Sequence, residues 1–228
     1  GSGSGGGAIL SRSANLTLDN CTFDGNLATD GNGGAVWAAG GNVTIVGGEF
    51  LANTATNYGG ALYADGCRLV VEGGSRFQGN TAIVGGALFC GLGEVGSDTL
   101  AAVCSITDAE FVSNTAAREN QESVDKLSDL DGGGAAMFLF ASVNITDSVF
   151  RGNYARQSGG ALHAGLDTDV LVNRCRLRNN TSGKYGGAIS GSSIILGRGT
   201  QLMNNSAVDD GGAVSATRYM VLNTESGS

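Results

Sequence analysis

The tripeptide Gly-Gly-Ala occurs eight times in 228 residues, beginning at Gly6, Gly33, Gly59, Gly85, Gly133, Gly159, Gly186 and Gly211. Successive copies are 27, 26, 26, 48, 26, 27 and 25 residues apart. A fixed period of this length marks stacked identical units in a quasi-one-dimensional solenoid. Such a chain builds a surface before it builds a pocket. The chain has 40 glycines and no proline, and because most of the glycines follow the repeat they do not signal a disordered linker.

A second motif runs in phase with the first. Phe-x-x-Asn appears at Phe23/Asn26, Phe50/Asn53, Phe77/Asn80, Phe111/Asn114 and Phe150/Asn153, with leucine replacing the ring at Leu177/Asn180 and Leu202/Asn205. Two residues after each Asn stands Ala or Ser. Between the two motifs lies a short apolar alternation, such as Val43-x-Ile45 or Val143-x-Ile145. Period-2 alternation over four to six residues is strand, not helix. A unit interrupted by paired glycines is also a poor host for the two amphipathic helices of a helical repeat.

Each unit thus supplies three short strands, and the expected fold is all-β: a parallel β-helix of about eight coils of ~26 residues. At a rung spacing of ~4.8 Å it is a rod about 40 Å long. One core wall is assigned to the aliphatic residue after Gly-Gly-Ala (Val36, Leu62, Leu88) and the small residue two places on (Ala38, Ala64, Cys90). The Phe column fills another wall, where rings stack on their equivalents. The Asn column sits in a turn and bonds along the stack. The paired glycines suit a corner that needs positive φ or no side-chain bulk.

Gly-Gly-Ala-[Ile/Val/Leu] alternating with Phe-x-x-Asn resembles the repeat of the polymorphic outer-membrane proteins, known chiefly from chlamydial surface autotransporters. The resemblance runs along the whole chain. It implies a right-handed parallel β-helix exposed at a cell surface and commonly serving adhesion. The same repeat type occurs in large surface proteins of algae and other protists. No catalytic residue carries over, because the motif is structural.

The net charge of −8 argues against nucleic acid and anionic membranes as partners. No apolar run approaches the ~20 residues of a membrane-spanning helix. The chain opens on Gly-Ser-Gly-Ser-Gly-Gly-Gly-Ala and stops partway through a repeat. Without visible capping units, residues 1–228 read as a single β-helix segment internal to a longer protein. Two insertions break the period, one at about 91–103 and one, charged, at 118–131. Insertions of this kind become side loops, often at a binding face.

Outward between the two inward positions of the Gly-Gly-Ala strand stand Leu10, Trp37, Tyr63, Phe89, Met137, His163, Ser190 and Ser215. With this phase, Trp37, Tyr63 and Phe89 form an aromatic strip, continued by Met137 and His163. An exposed strip is a contact site for sugar rings or partner proteins. The competing reading has an insertion folding back to cover it. β-helical lyases and hydrolases need clustered carboxylates, or bases beside metal-binding acids. The outward positions of this strand hold no acid, and His163, the only histidine, reads as a surface residue.

Five cysteines leave at least one unpaired. Cys90 and Cys104 bracket the first insertion and are the expected disulfide, with Cys67 a competing partner. Cys21 and Cys175 fall in a small-residue slot two places before the Phe column, as inert core thiols. Asn-x-Ser/Thr sequons stand at Asn15, Asn20, Asn42, Asn144, Asn179, Asn180 and Asn204. Asn180 belongs to the ladder and is expected to be inaccessible, which leaves six glycosylation candidates if the chain follows a eukaryotic secretory route. No cofactor is implied. Calcium is a remote alternative at the acidic turns Asp30/Asn32, Asp129/Asp131 and Asp209/Asp210, where oxygen ligands suit it.

The function expected is a non-catalytic extracellular rod for adhesion, or a structural unit of a surface assembly or fibre. Its partners are surface proteins, glycans or copies of itself. The alternative is a carbohydrate-binding or polysaccharide-degrading β-helix.

Overall fold

The computed structural model describes residues 5–92, 102–117 and 132–222. These form a parallel β-solenoid of about seven turns, with ~27 residues per turn and three sheets. The eighth Gly-Gly-Ala opens a further turn through Val214–Leu222, so the expected eight coils are seven complete ones and the start of another.

One sheet has 13 strands and two have seven. The large sheet joins two columns. Gly-Gly-Ala strands such as Val36–Ala39 and Leu62–Asp65 make one, and alternating strands such as Asn42–Val46 and Arg68–Glu72 make the other. They merge where single long strands, Leu162–Asn173, Ile189–Leu196 and Val214–Leu222, run through both positions. The seven-stranded sheets carry the Phe column and the two-residue strands after each Asn.

Among the described residues every pairing is parallel and, apart from register shifts after Ala164 and Gly191, in phase: Val36 on Leu62, Val43 on Leu69, Phe50 on Phe77, Ala55 beside Ala28. Equivalent side chains therefore meet along the axis. Adjacent rings from Phe23 through Phe50, Phe77 and Phe111 to Phe150 lie 4.6–5.0 Å apart and within 13° of parallel. In the fifth coil the usual large-then-small order is inverted, with Ala136 followed by Phe138, which conserves core volume.

The asparagines form a continuous amide ladder. The backbone N–H and the Nδ2 of Asn80 both donate to Oδ1 of Asn114, at 3.0 and 2.9 Å. Nδ2 of Asn114 also donates to the carbonyl of Phe77, at 3.0 Å. The same pattern links Asn53, Asn80, Asn114, Asn153, Asn180 and Asn205. Each interior amide makes the two donations and two acceptances that its chemistry allows.

The corner before each inward strand explains the paired glycines. The first glycine has positive φ, as at Gly59 (61°) and Gly133 (71°). The second has no room for a side chain, since a Cβ on Gly34 would collide with the carbonyl of Gly60.

Replacing Asn114 with alanine strands the two donors of Asn80 and the carbonyl of Phe77 in the core. At ~1–3 kcal/mol for each buried unpaired group, the variant should lose about 3 kcal/mol or more. Asn26→Ala, in the first coil where the side chain is only half-buried, should cost clearly less. Denaturant unfolding of both variants checks the order.

Candidate functional site

From Trp37 to Ser190 the outward column of the Gly-Gly-Ala strand is not a surface, although Leu10 at its start is half exposed. Trp37 is 8% exposed, Tyr63 4%, Phe89 2%, Met137 0% and His163 8%, which overturns the exposed contact strip. The column is in register, Trp37 on Tyr63 on Phe89 on Met137 on His163, and the first three rings stack. What covers it is the segment before Gly-Gly, with the end of the Gly-Gly-Ala strand in the fifth coil. The ring of Tyr58 lies 6.2 Å from Tyr63 and 5.3 Å from Phe89. Ile83, Val84, Leu139 and Phe140 complete a second apolar core outside the coil. The guanidinium of Arg12 sits 5.4 Å over the Trp37 ring. The residues immediately before Gly-Gly at this cover are Tyr58 and Val84, where other coils have Asn32, Gly132, Ser158, Asp210 or, in the seventh, an exposed Tyr185.

Cys90 and Cys104 are disulfide-bonded, with Cα atoms 6.7 Å apart and a sequence separation of 14. The bond ties the end of one inward strand to the next strand of the same coil. Residues 93–101, most of the first insertion, and all of the second, 118–131, lie outside the described residues. Cys67 is free and buried, its Sγ facing the carbonyls of Ala38, Gly40 and Asp65. Cys175 is free and buried in the small slot, and Cys21 is half-buried in its equivalent. Burial pushes the Cys67 and Cys175 thiols up to about 11.

Among the sequons, Asn15, Asn20, Asn42, Asn144, Asn179 and Asn204 are exposed, whereas Asn180 is buried in the ladder. Oδ1 of Asn15 accepts from the backbone N–H and Nδ2 of Asn42, a second short amide ladder on the surface. Among the described residues no three His, Cys, Asp or Glu side chains converge as a metal site. Asp129 and Asp131 of the calcium alternative lie outside them.

The varied chemistry stands on the outer face of the Phe sheet. The residues flanking each Phe or Leu of this inward column point outward and stack in columns. One runs Thr22, Glu49, Arg76, Glu110, Val149, Arg176 and Gln201, the other Asp24, Leu51, Gln78, Val112, Arg151, Arg178 and Met203. Glu110 bridges Arg76 at 3.7 Å and Arg151 at 3.0 Å, and Arg76 also bonds the Gln78 amide. At the edge of this face Arg174 grips both oxygens of Asp147, at 2.8 and 2.7 Å. That bidentate bond holds the Asp147 carboxyl below the usual carboxylate range. A shallow groove of about 300 Å³ is lined by Glu49, Leu51, Ala52, Arg76, Gln78 and Gly79.

Coils of this kind, built from Gly-Gly-Ala and Phe-x-x-Asn in three parallel sheets, define a repeat β-solenoid whose motif residues serve the stack. Residues 20–39 and 47–65 match the Chlamydia polymorphic membrane protein repeat, each stretch running from a Phe strand through the following Gly-Gly-Ala strand. The repeat resemblance read from the sequence is thereby upheld. No curated protein and no solved structure matches the chain.

Because Phe89 is interior, Phe89→Ala should behave as a core truncation and cost about 3–5 kcal/mol in unfolding free energy. A thermal or denaturant melt reads this directly. For the thiols, a pKa of about 11 leaves roughly one molecule in a thousand as thiolate at pH 8. Cys67 and Cys175 should therefore resist alkylation at pH 8 until the protein unfolds. Denatured, unreduced protein should then show three alkylatable thiols by intact mass, and reduced protein five.

Proposed function

We propose that this chain is a non-catalytic rod of a secreted or cell-surface protein, acting in adhesion or as a structural unit of a surface assembly. The observation that carries this reading is where the recurrent polar side chains go. The asparagine amides, the one polar feature repeated in every coil, are spent on inter-coil hydrogen bonds inside the stack. The side chains left to face outward differ from rung to rung, as in a scaffold that varies its surface while keeping its frame. The matched polymorphic membrane protein repeat supports the surface location.

The groove beside Glu49, Arg76 and Gln78 favours the second reading, a carbohydrate-binding or carbohydrate-degrading β-helix, because it groups an acid, a base and an amide. Antibody labelling of intact, unpermeabilised cells tests location, and adhesion of protein-coated beads to those cells tests the role. Labelling that appears only after permeabilisation would falsify the surface assignment. Release of new reducing ends or unsaturated uronates from polysaccharides by the purified protein overturns the non-catalytic reading. The expected result is surface labelling, bead adhesion and no product.

A further inference from the structure

In a solenoid, position in sequence is position along the axis, so charge is better summed coil by coil than over the whole chain. The net −8 is very unevenly spread. Residues 151–218 hold eight Lys and Arg against four acids, Asp167, Asp169, Asp209 and Asp210, while the remainder holds five basic residues against seventeen acids. The C-terminal coils are therefore locally basic on an acidic rod.

The Phe-sheet face gathers much of this charge. Arg176 and Arg178 flank buried Leu177 and project from one strand, two residues and roughly 6.7 Å apart. Arg151 stacks in register beneath Arg178, about one rung of ~4.8 Å away. At the adjoining corner the backbone N–H of Arg174 donates to the carbonyl of Arg198, which brings those two residues together. Arg151 and Arg174 are already held, by Glu110 and Asp147. Arg176, Arg178 and Arg198 are exposed and make no ion pair among the described residues. Three guanidinium forks with free donors thus stand beside two others fixed by their carboxylates.

We propose that this face of the fifth to seventh coils binds an acidic polysaccharide, a sugar chain bearing sulfate or uronate groups, laid along the rod axis. The proposal deepens the surface-rod reading and rests on it for the partner being extracellular. Guanidinium forks suit planar or multi-oxygen anions, which they bind bidentately. A rigid sheet offers them at fixed rung spacing, which suits an extended chain of repeating anions. The outward side chains of these strands are Val149, Arg151, Arg176, Arg178, Gln201 and Met203, with no ring among them. Single-stranded nucleic acid relies on aromatic platforms for its bases, and protein partners rely on aromatic anchors. This face offers neither. Further along the same sheet, the groove at Glu49, Arg76 and Gln78 supplies polar partners for sugar hydroxyls.

The test is binding of dextran sulfate, polygalacturonate, neutral dextran, oligo-dT and poly-glutamate to the purified chain at 0.15 M NaCl. Dextran sulfate or polygalacturonate should bind, weaken as salt rises, and outcompete the other three. Arg176→Ser/Arg178→Ser should lose at least about tenfold in affinity with an unchanged melting temperature, since each removed guanidinium contact is charge-assisted. Arg176→Lys/Arg178→Lys should recover part of it, and Arg12→Ser, at the other end of the rod, should bind as wild type. No binding to either acidic polysaccharide, equal binding by the double Ser variant, or tighter binding to oligo-dT or poly-glutamate overturns the proposal. Those results leave cell-surface labelling and bead adhesion unaffected, so a failure here is distinct from failure of the surface-rod reading.

Discussion

The amide ladder is the contact on which the other columns depend. A buried asparagine left alone carries two donors and two acceptor sites, each costly to leave unpaired away from water. In the interior of the stack every such need is met by the coil before and the coil after. A slip of one residue in any coil would break the ladder on both of its sides. It would also turn the apolar face of each strand outward, because side chains alternate with period two. Ladder, Phe column and inward aliphatics therefore all demand the same register, and their agreement is what makes the winding unique.

That dependence has a geometric corollary. Once like must sit on like, the inside of each coil is nearly invariant, and freedom is confined to outward positions and corners. The corner before Gly-Gly shows what this freedom can do. Where it carries Tyr58 or Val84 it adds apolar bulk outside the coil, and a second core grows over Trp37, Tyr63 and Phe89. On the Phe sheet the same freedom writes charge along the axis, acidic at Asp24 and Glu49 and basic at Arg176 and Arg178.

Much of the frame was legible. Phe50, Asn53 and Val36 were assigned to stacked columns from spacing alone, and all three are buried there. Cys90 and Cys104, which bracket an insertion within one coil, are bonded to each other. The fate of Trp37 was not legible, because alternation tells which side of a strand a residue faces but not what lies beyond that side. His163 misled in the same way, since it stands in the same column and is buried. The join of two strand columns into one 13-stranded sheet was also out of reach. It depends on the long strand Leu162–Asn173 running through a corner that other coils break.

The sequence alone determined the period, the parallel register and the identity of the inward columns. Those follow from repetition: equal spacing, paired glycines at a corner without room for a side chain, and an amide that only another copy of itself satisfies. The tertiary structure decided which outward faces meet water. Burial of an outward side chain is set by a neighbouring segment whose path depends on corner geometry, and corner geometry is a property of the wound chain rather than of any one repeat.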